Sequence, residues 1–175
     1  SSRRITKSTA SSSDSLGLNS GFGESIEFED FNGDVYPDIV ATAENSGALY
    51  FISGKTYSET SFFASNEEVD VMALASNVIY ADNPDDYPVA TSVSDVNGDG
   101  TPDLIVATRS GEALVFDGTK LETYKSFSEA DHRVAVNTAG IDESNMITSD
   151  DFDGDGQGDI LFESGDMFFG APTVE

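Results

Sequence analysis

Three stretches of this chain align without a gap. They are Asp30-Phe-Asn-Gly-Asp-Val-Tyr-Pro-Asp38, Asp95-Val-Asn-Gly-Asp-Gly-Thr-Pro-Asp103 and Asp151-Phe-Asp-Gly-Asp-Gly-Gln-Gly-Asp159. An internal repeat means that one supersecondary unit has been used several times, so the fold must be built from copies of it. Each stretch runs directly into an apolar, β-branched segment: Ile39-Val40-Ala41, Leu104-Ile105-Val106 and Ile160-Leu161-Phe162. Alternating segments such as Ile26-Glu-Phe28 and Val89 to Val93 lie upstream. Apolar alternation at period two reads as half-buried strand, and Asp, Asn and Gly between two strands read as a turn.

The similarity continues past the loops. Gly47-Ala-Leu-Tyr-Phe-Ile-Ser-Gly54 matches Gly111-Glu-Ala-Leu-Val-Phe-Asp-Gly118, and Gly165-Asp-Met-Phe-Phe-Gly170 is a shortened third copy. A fourth strand is expected at Ser61 to Ala64 in the first unit and at Tyr124 to Phe127 in the second. The unit is strand, Asp loop, strand, turn, strand, turn, strand, which makes one antiparallel sheet per repeat. Helical periodicity is confined to a turn or two, with Glu67 to Ala75 the best candidate. The chain therefore divides into a Ser/Thr-rich basic arm at residues 1–20 and repeats at 21–80, 81–135 and 136–175, the last of them shortened.

Within each loop, side-chain oxygens recur at positions one, three, five and nine. They belong to Asp30, Asn32, Asp34 and Asp38; to Asp95, Asn97, Asp99 and Asp103; and to Asp151, Asp153, Asp155 and Asp159. A turn carrying that many hard oxygens suits calcium, which takes about 6 to 8 oxygen ligands in a flexible geometry, better than magnesium, which demands an octahedron. Main-chain carbonyls at position seven, from Tyr36, Thr101 and Gln157, are expected to complete the shell with water. Glycine at positions four and six gives the tight or left-handed backbone that such a wrap needs. Val35 stands at position six of the first loop, where a positive φ costs a β-branched residue, so the first site is expected to be the weakest. The third loop, with four carboxylates, is expected to be the tightest. An EF-hand would require a bidentate Glu at position twelve between two helices; here position twelve is Ala41, Val106 or Phe162, and the flanks are strands.

Charge supports the same reading. Thirty-three acidic residues against eight basic ones give a formal net charge of −25, and self-repulsion on that scale opposes a compact state unless cations compensate. Nucleic acid is excluded as a partner because no Lys/Arg face exists to meet its phosphates. Arg3, Arg4 and Lys7 concentrate basic charge at the start of the chain, either as a disordered leader or as an arm docking on an acidic neighbour. Cysteine is absent, which rules out disulfides and thiolate metal sites. No apolar run approaches the roughly 20 residues of a membrane span, so membrane insertion is not expected. The lack of a signal-peptide pattern fits a secreted protein in mature form, and the lack of an Asn-x-Ser/Thr sequon favours a bacterial or archaeal source. The single histidine, His132, reads as a surface loop residue, and no nucleophile, phosphate loop or zinc signature accompanies it. No catalytic residue is assigned, and an enzyme is not expected.

At these residues the chain resembles the FG-GAP repeats of integrin α-subunits and their bacterial relatives. Phe22-Gly23 stands where the motif's Phe-Gly belongs, ahead of Ile26-Glu-Phe28, the Asp loop and the strand after it, and Gly47-Ala-Leu-Tyr-Phe matches the family's next strand. Ala41-Thr42-Ala43 and Ala107-Thr108-Arg109 replace the Gly-Ala-Pro element, placing the match in a degenerate, bacterial-type branch. The resemblance spans roughly residues 20 to 170. It implies an all-β protein of propeller-blade repeats with up to three calcium ions in the hairpins, on a secreted or cell-surface protein that acts in adhesion or in protein or glycan binding. Propellers close with typically 4 to 8 blades. Three repeats therefore imply an incomplete ring, as a piece of a larger propeller would be, or an array that associates with further copies of itself, as the subunit of an extracellular filament or surface layer would.

Overall fold

A computed structural model describes residues 5–6, 21–59, 69–83, 86–135, 147–162, 165 and 167–170. In chain order the strands are β1 (Ile5–Thr6), β2 (Phe22–Glu29), β3 (Asp38–Ala43), β4 (Ala48–Ile52), β5 (Val69–Asp70), β6 (Asn77–Tyr80), β7 (Pro88–Ser94), β8 (Asp103–Thr108), β9 (Glu112–Phe116), β10 (His132–Ala135), β11 (Ile147–Asp150), β12 (Asp159–Phe162) and β13 (Met167–Phe168). Two short helices, α1 (Gly54–Glu59) and α2 (Val71–Leu74), fall in the first repeat. The strands form three antiparallel meanders, β2-β3-β4-β6, β7-β8-β9-β10 and β11-β12-β13, together with a parallel pair of β1 and β5. The first two sheets are four-stranded blades, and the third has three described strands. Among the described residues the molecule is thus all-β with three blades, and no sheet closes on itself.

The first strands of the blades lie side by side, β2 against β7 and β7 against β11. Hydroxyl contacts knit them: Ser25 Oγ and Thr91 Oγ1 are 2.5 Å apart, and Ser92 Oγ and Ser149 Oγ 2.8 Å. Alternation along each strand then sends successive side chains to opposite neighbours. Val40, Leu49, Phe51 and Ile79 of blade one meet Leu104, Val106, Leu114 and Phe116 of blade two in one core. Ile105, Ala107, Ala113 and Val115, from the other face of blade two, meet Ile147, Ile160 and Phe162 of blade three. Being apolar on both faces explains why β8 reads as an unbroken Leu-Ile-Val-Ala run and is buried throughout.

The two ends of the array differ. The rear face of blade one, with Ala43, Tyr50 and Ile52, is closed by Val71 and Leu74 of α2. The far face of blade three has no such lid among the described residues: Met167, paired across the ladder with Leu161, is exposed, as are Phe152 and Phe169.

The expected fourth strand at Tyr124 to Phe127 is not formed. Tyr124 and Phe127 are drawn into the joint between blades one and two, where both rings meet Phe116 edge-on at centroid distances of 5.2 and 6.1 Å. Only Ser126 makes a bridge, to Tyr80. The place beside β9 goes to β10, in register from His132 opposite Val115 to Ala135 opposite Glu112. Burying two aromatic rings outweighs the ladder bonds the segment could have made. In blade one the fourth strand is β6; Ser61 to Ala64 lie outside the described residues, as does most of the arm at 1–20. The helix sought over Glu67 to Ala75 is the single turn Val71–Leu74, preceded by β5.

Candidate metal centre

Each Asp loop joins the first and second strands of its blade, and its ninth residue opens the second strand. A common core of hydrogen bonds recurs three times. The position-one carboxylate accepts the amides of positions five and six: Asp30 from Asp34 and Val35 (2.9 and 2.9 Å), Asp95 from Asp99 and Gly100 (3.0 and 2.7 Å), Asp151 from Asp155 and Gly156 (3.1 and 2.9 Å). Position three accepts the amide of position five: Asn32 at 3.0 Å, Asn97 at 2.8 Å and Asp153 at 3.1 Å. Position five accepts the amide of position seven, so Asp34, Asp99 and Asp155 orient the peptides of Tyr36, Thr101 and Gln157. These bonds curl the backbone around the side-chain oxygens. An ionised carboxylate offers about four lone-pair sites, so capacity remains for a cation.

Position nine has a second task. Asp38, Asp103 and Asp159 are 0%, 1% and 0% exposed. Each accepts the amide of position two on one oxygen, from Phe31 (3.2 Å), Val96 (3.0 Å) and Phe152 (2.9 Å). On the other oxygen each accepts the amide of a glycine beyond the third strand, Gly54 (2.7 Å), Gly118 (3.3 Å) or Gly170 (2.9 Å). The aspartate clasps the loop to the far end of its own sheet. No side chain fits at the clasp: a Cβ on Gly118 would lie 2.0 Å from the Pro102 carbonyl oxygen, and one on Gly54 2.2 Å from that of Pro37. These glycines close the repeated segments in the sequence, but their role is not legible there because the partner aspartate lies 16, 15 and 11 residues away.

The electrostatics ask for a positive charge. Burial pushes the carboxyls of Asp38 and Asp103 up to about 6, against the lowering effect of their amide donors and with the neighbouring carboxylates of Asp34 and Asp99 adding to the rise. In the third loop, Asp151, Asp153 and Asp159 bring carboxylate oxygens within 4.8 Å of one another. Asp155 stands outside that group, and loops one and two have Asn at position three. The donor set is all hard oxygen, without thiolate or imidazole, and so fits calcium. The residues that would hold it are the four side-chain donors of each loop and the main-chain carbonyl at position seven.

The first loop does carry strain where the sequence marks it. Val35 has φ of 71° and is the single non-glycine residue with positive φ among the described residues; its counterparts Gly100 and Gly156 lie at 87° and 90°. His132 opens β10 instead of sitting in a loop, and lines a cleft of about 300 Å³ beside loop two with Asp117, Lys120 and Asp131. Three of the charged groups there are paired already: Lys120 bridges Asp117 at 2.9 Å and Asp131 at 3.2 Å, and the Tyr124 hydroxyl donates to Asp131.

Antiparallel sheets of blade type, each with a clasped Asp loop between its first two strands, define an all-β repeat protein. Residues 95–162 match the FG-GAP-like repeat family, from the first aspartate of loop two to the end of the strand after loop three. The chain carries an FG-GAP-like repeat, and the first Asp loop, outside the matched region, shares the core of the same hydrogen bonds. No curated protein matches the chain.

Proposed function

We propose that this chain is a calcium-stabilised β-repeat module of a secreted or cell-surface protein, acting in adhesion or in protein or glycan binding and not as an enzyme. The observation that carries the calcium reading is the convergence of Asp151, Asp153 and Asp159 within 4.8 Å in a loop whose hydrogen-bond wiring recurs in the other two. Three calcium ions would offset six of the 25 net negative charges and neutralise the carboxylates buried at position nine. A binding role is supported by architecture: clasped loops make rigid corners on a repeat array, and such arrays present extended surfaces. Isothermal titration calorimetry on the chelator-treated chain tests the reading. Three bound calcium ions per chain are expected, and absence of binding at millimolar calcium would refute it.

A second reading, the self-assembling subunit of an extracellular filament or surface layer, is favoured by the far face of blade three, where among the described residues Phe152 is 45% and Phe169 60% exposed. Exposed apolar side chains on one face of a blade invite pairing with a second surface. Sedimentation velocity across a concentration series in calcium separates the two. A chain that stays monomeric removes the assembly reading, whereas concentration-dependent growth that Phe152→Asp abolishes supports it.

A further inference from the structure

We propose that the second and third loops bind their ions cooperatively, coupled through a direct joint that loop one lacks; this rests on the calcium reading above. Gly158, between the position-seven and position-nine residues of loop three, donates its amide to the carbonyl oxygen of Asp95, position one of loop two, at 2.6 Å. The joint is packed to backbone distance, since a Cβ on Gly158 would lie 2.1 Å from Ser94 Oγ and 3.2 Å from the Asp95 carbonyl oxygen. Two further contacts flank it. The Gln157 side chain lies over Gly98, where a Cβ would come within 3.1 Å of its Cγ, and a Cβ on Gly170, the clasp donor of loop three, would lie 3.2 Å from the Val96 carbonyl oxygen.

On the loop-three side the bonded peptide carries the Gln157 carbonyl, an expected ligand, and on the loop-two side the accepting carbonyl is the main chain of Asp95, whose side chain is an expected ligand. Asp95 supplies the first ligand of loop two, and Gln157-Gly158-Asp159 supply the last two of loop three. An ion that orders loop three therefore fixes the Gly158 amide, which holds the Asp95 peptide in place for the second ion. The ordering cost of the shared joint is met once, and the ion that arrives second binds to a more ordered loop. That is the condition for positive coupling without a change of fold, and the coupling is reciprocal. Between loops one and two the corresponding approach is that of Gly118 to Phe31, a residue that holds no expected ligand, and no loop-to-loop hydrogen bond accompanies it among the described residues. Loop one is expected to fill independently.

The experiment is a calcium titration of the whole chain followed by NMR, with the amides of Val35, Gly100 and Gly156 reporting loops one, two and three. Asp155→Ala, in loop three, is expected to weaken calcium at Gly100 by about five- to tenfold, within the usual range of coupling between sites. Asp99→Ala should weaken it at Gly156 by the same factor, and both variants should leave Val35 unchanged. Amide shifts of β7 to β9 at saturating calcium verify that each variant remains folded. If calcium binds all three loops but neither variant alters the other's site, the coupling is wrong while the calcium reading stands. If no loop responds to calcium, both fail. If Asp155→Ala prevents folding, reciprocity is read from Asp99→Ala together with Asp153→Asn, and an unaltered partner site in both overturns the proposal.

Discussion

Replacing Val35 with glycine should stabilise the protein, even though it removes an apolar side chain. Val35 sits at φ of 71° and is 81% exposed, so the substitution discards almost no burial and relieves a left-handed conformation that costs an L-residue roughly 1–2 kcal/mol, with a β-branched one at the upper end. Against this, glycine gives the unfolded chain extra freedom worth roughly 0.5–1 kcal/mol. The Val35 amide bond to Asp30 uses the backbone alone and survives. The net expectation is a gain of about 1 kcal/mol, which at a urea slope of about 2 kcal/mol per molar raises the midpoint by about 0.5 M. Gly100→Val, in the matching position of loop two at φ of 87°, should lose a similar amount. Urea denaturation of both variants, with and without calcium, measures the pair, and titration of loop one should show tighter binding in Val35→Gly. A lowered midpoint for Val35→Gly, or no cost for Gly100→Val, would refute the argument, because strain at position six would then not distinguish the loops.

Phe31→Ala is expected to cost about 3–5 kcal/mol, as emptying a fully buried aromatic site does, whereas Phe152→Ala at the same loop position on the open end should fall within about 1 kcal/mol of the parent; equal losses in denaturant titration would mean that the face of blade three is covered. Chelated protein should lose stability as pH rises from about 4 to about 6. Asp38 and Asp103 titrate near 6 when folded and near 3.8 when unfolded, so the native state holds more protons in that window and each carboxyl's ionisation removes about 3 kcal/mol. Asp103→Asn should flatten the slope, and a chelated parent that grows more stable between pH 4 and 6 would contradict the burial argument. Calcium at a hundred times its Kd should add about 2.7 kcal/mol per filled site; a melting temperature unmoved by chelator, in the parent and in Asp151→Ala alike, would exclude calcium as the brace.

The Asp loops, their flanking strands and the strain at Val35 were legible because all are local. A turn chemistry repeated three times, followed each time by a β-branched run, leaves the backbone few alternatives. The likeness to FG-GAP repeats rests on the same local pattern, and the match over residues 95–162 falls on the two loops that have glycine at position six.

What tertiary structure decided is everything that depends on which surfaces meet. The sequence placed a strand at Tyr124 to Phe127, but packing of the two rings against Phe116 made the segment a plug and gave the sheet edge to His132–Ala135. Position nine looks in the sequence like one more ligand; only the fold shows that Asp38, Asp103 and Asp159 also clasp a distant glycine amide and are buried in doing so. The amino-acid pattern likewise treats Phe31, Val96 and Phe152 as one position. Stacking of the blades makes them 0%, 8% and 45% exposed, because a residue's burial is set by the neighbour that covers it, and alternation along a strand says which face a side chain takes but not what lies opposite.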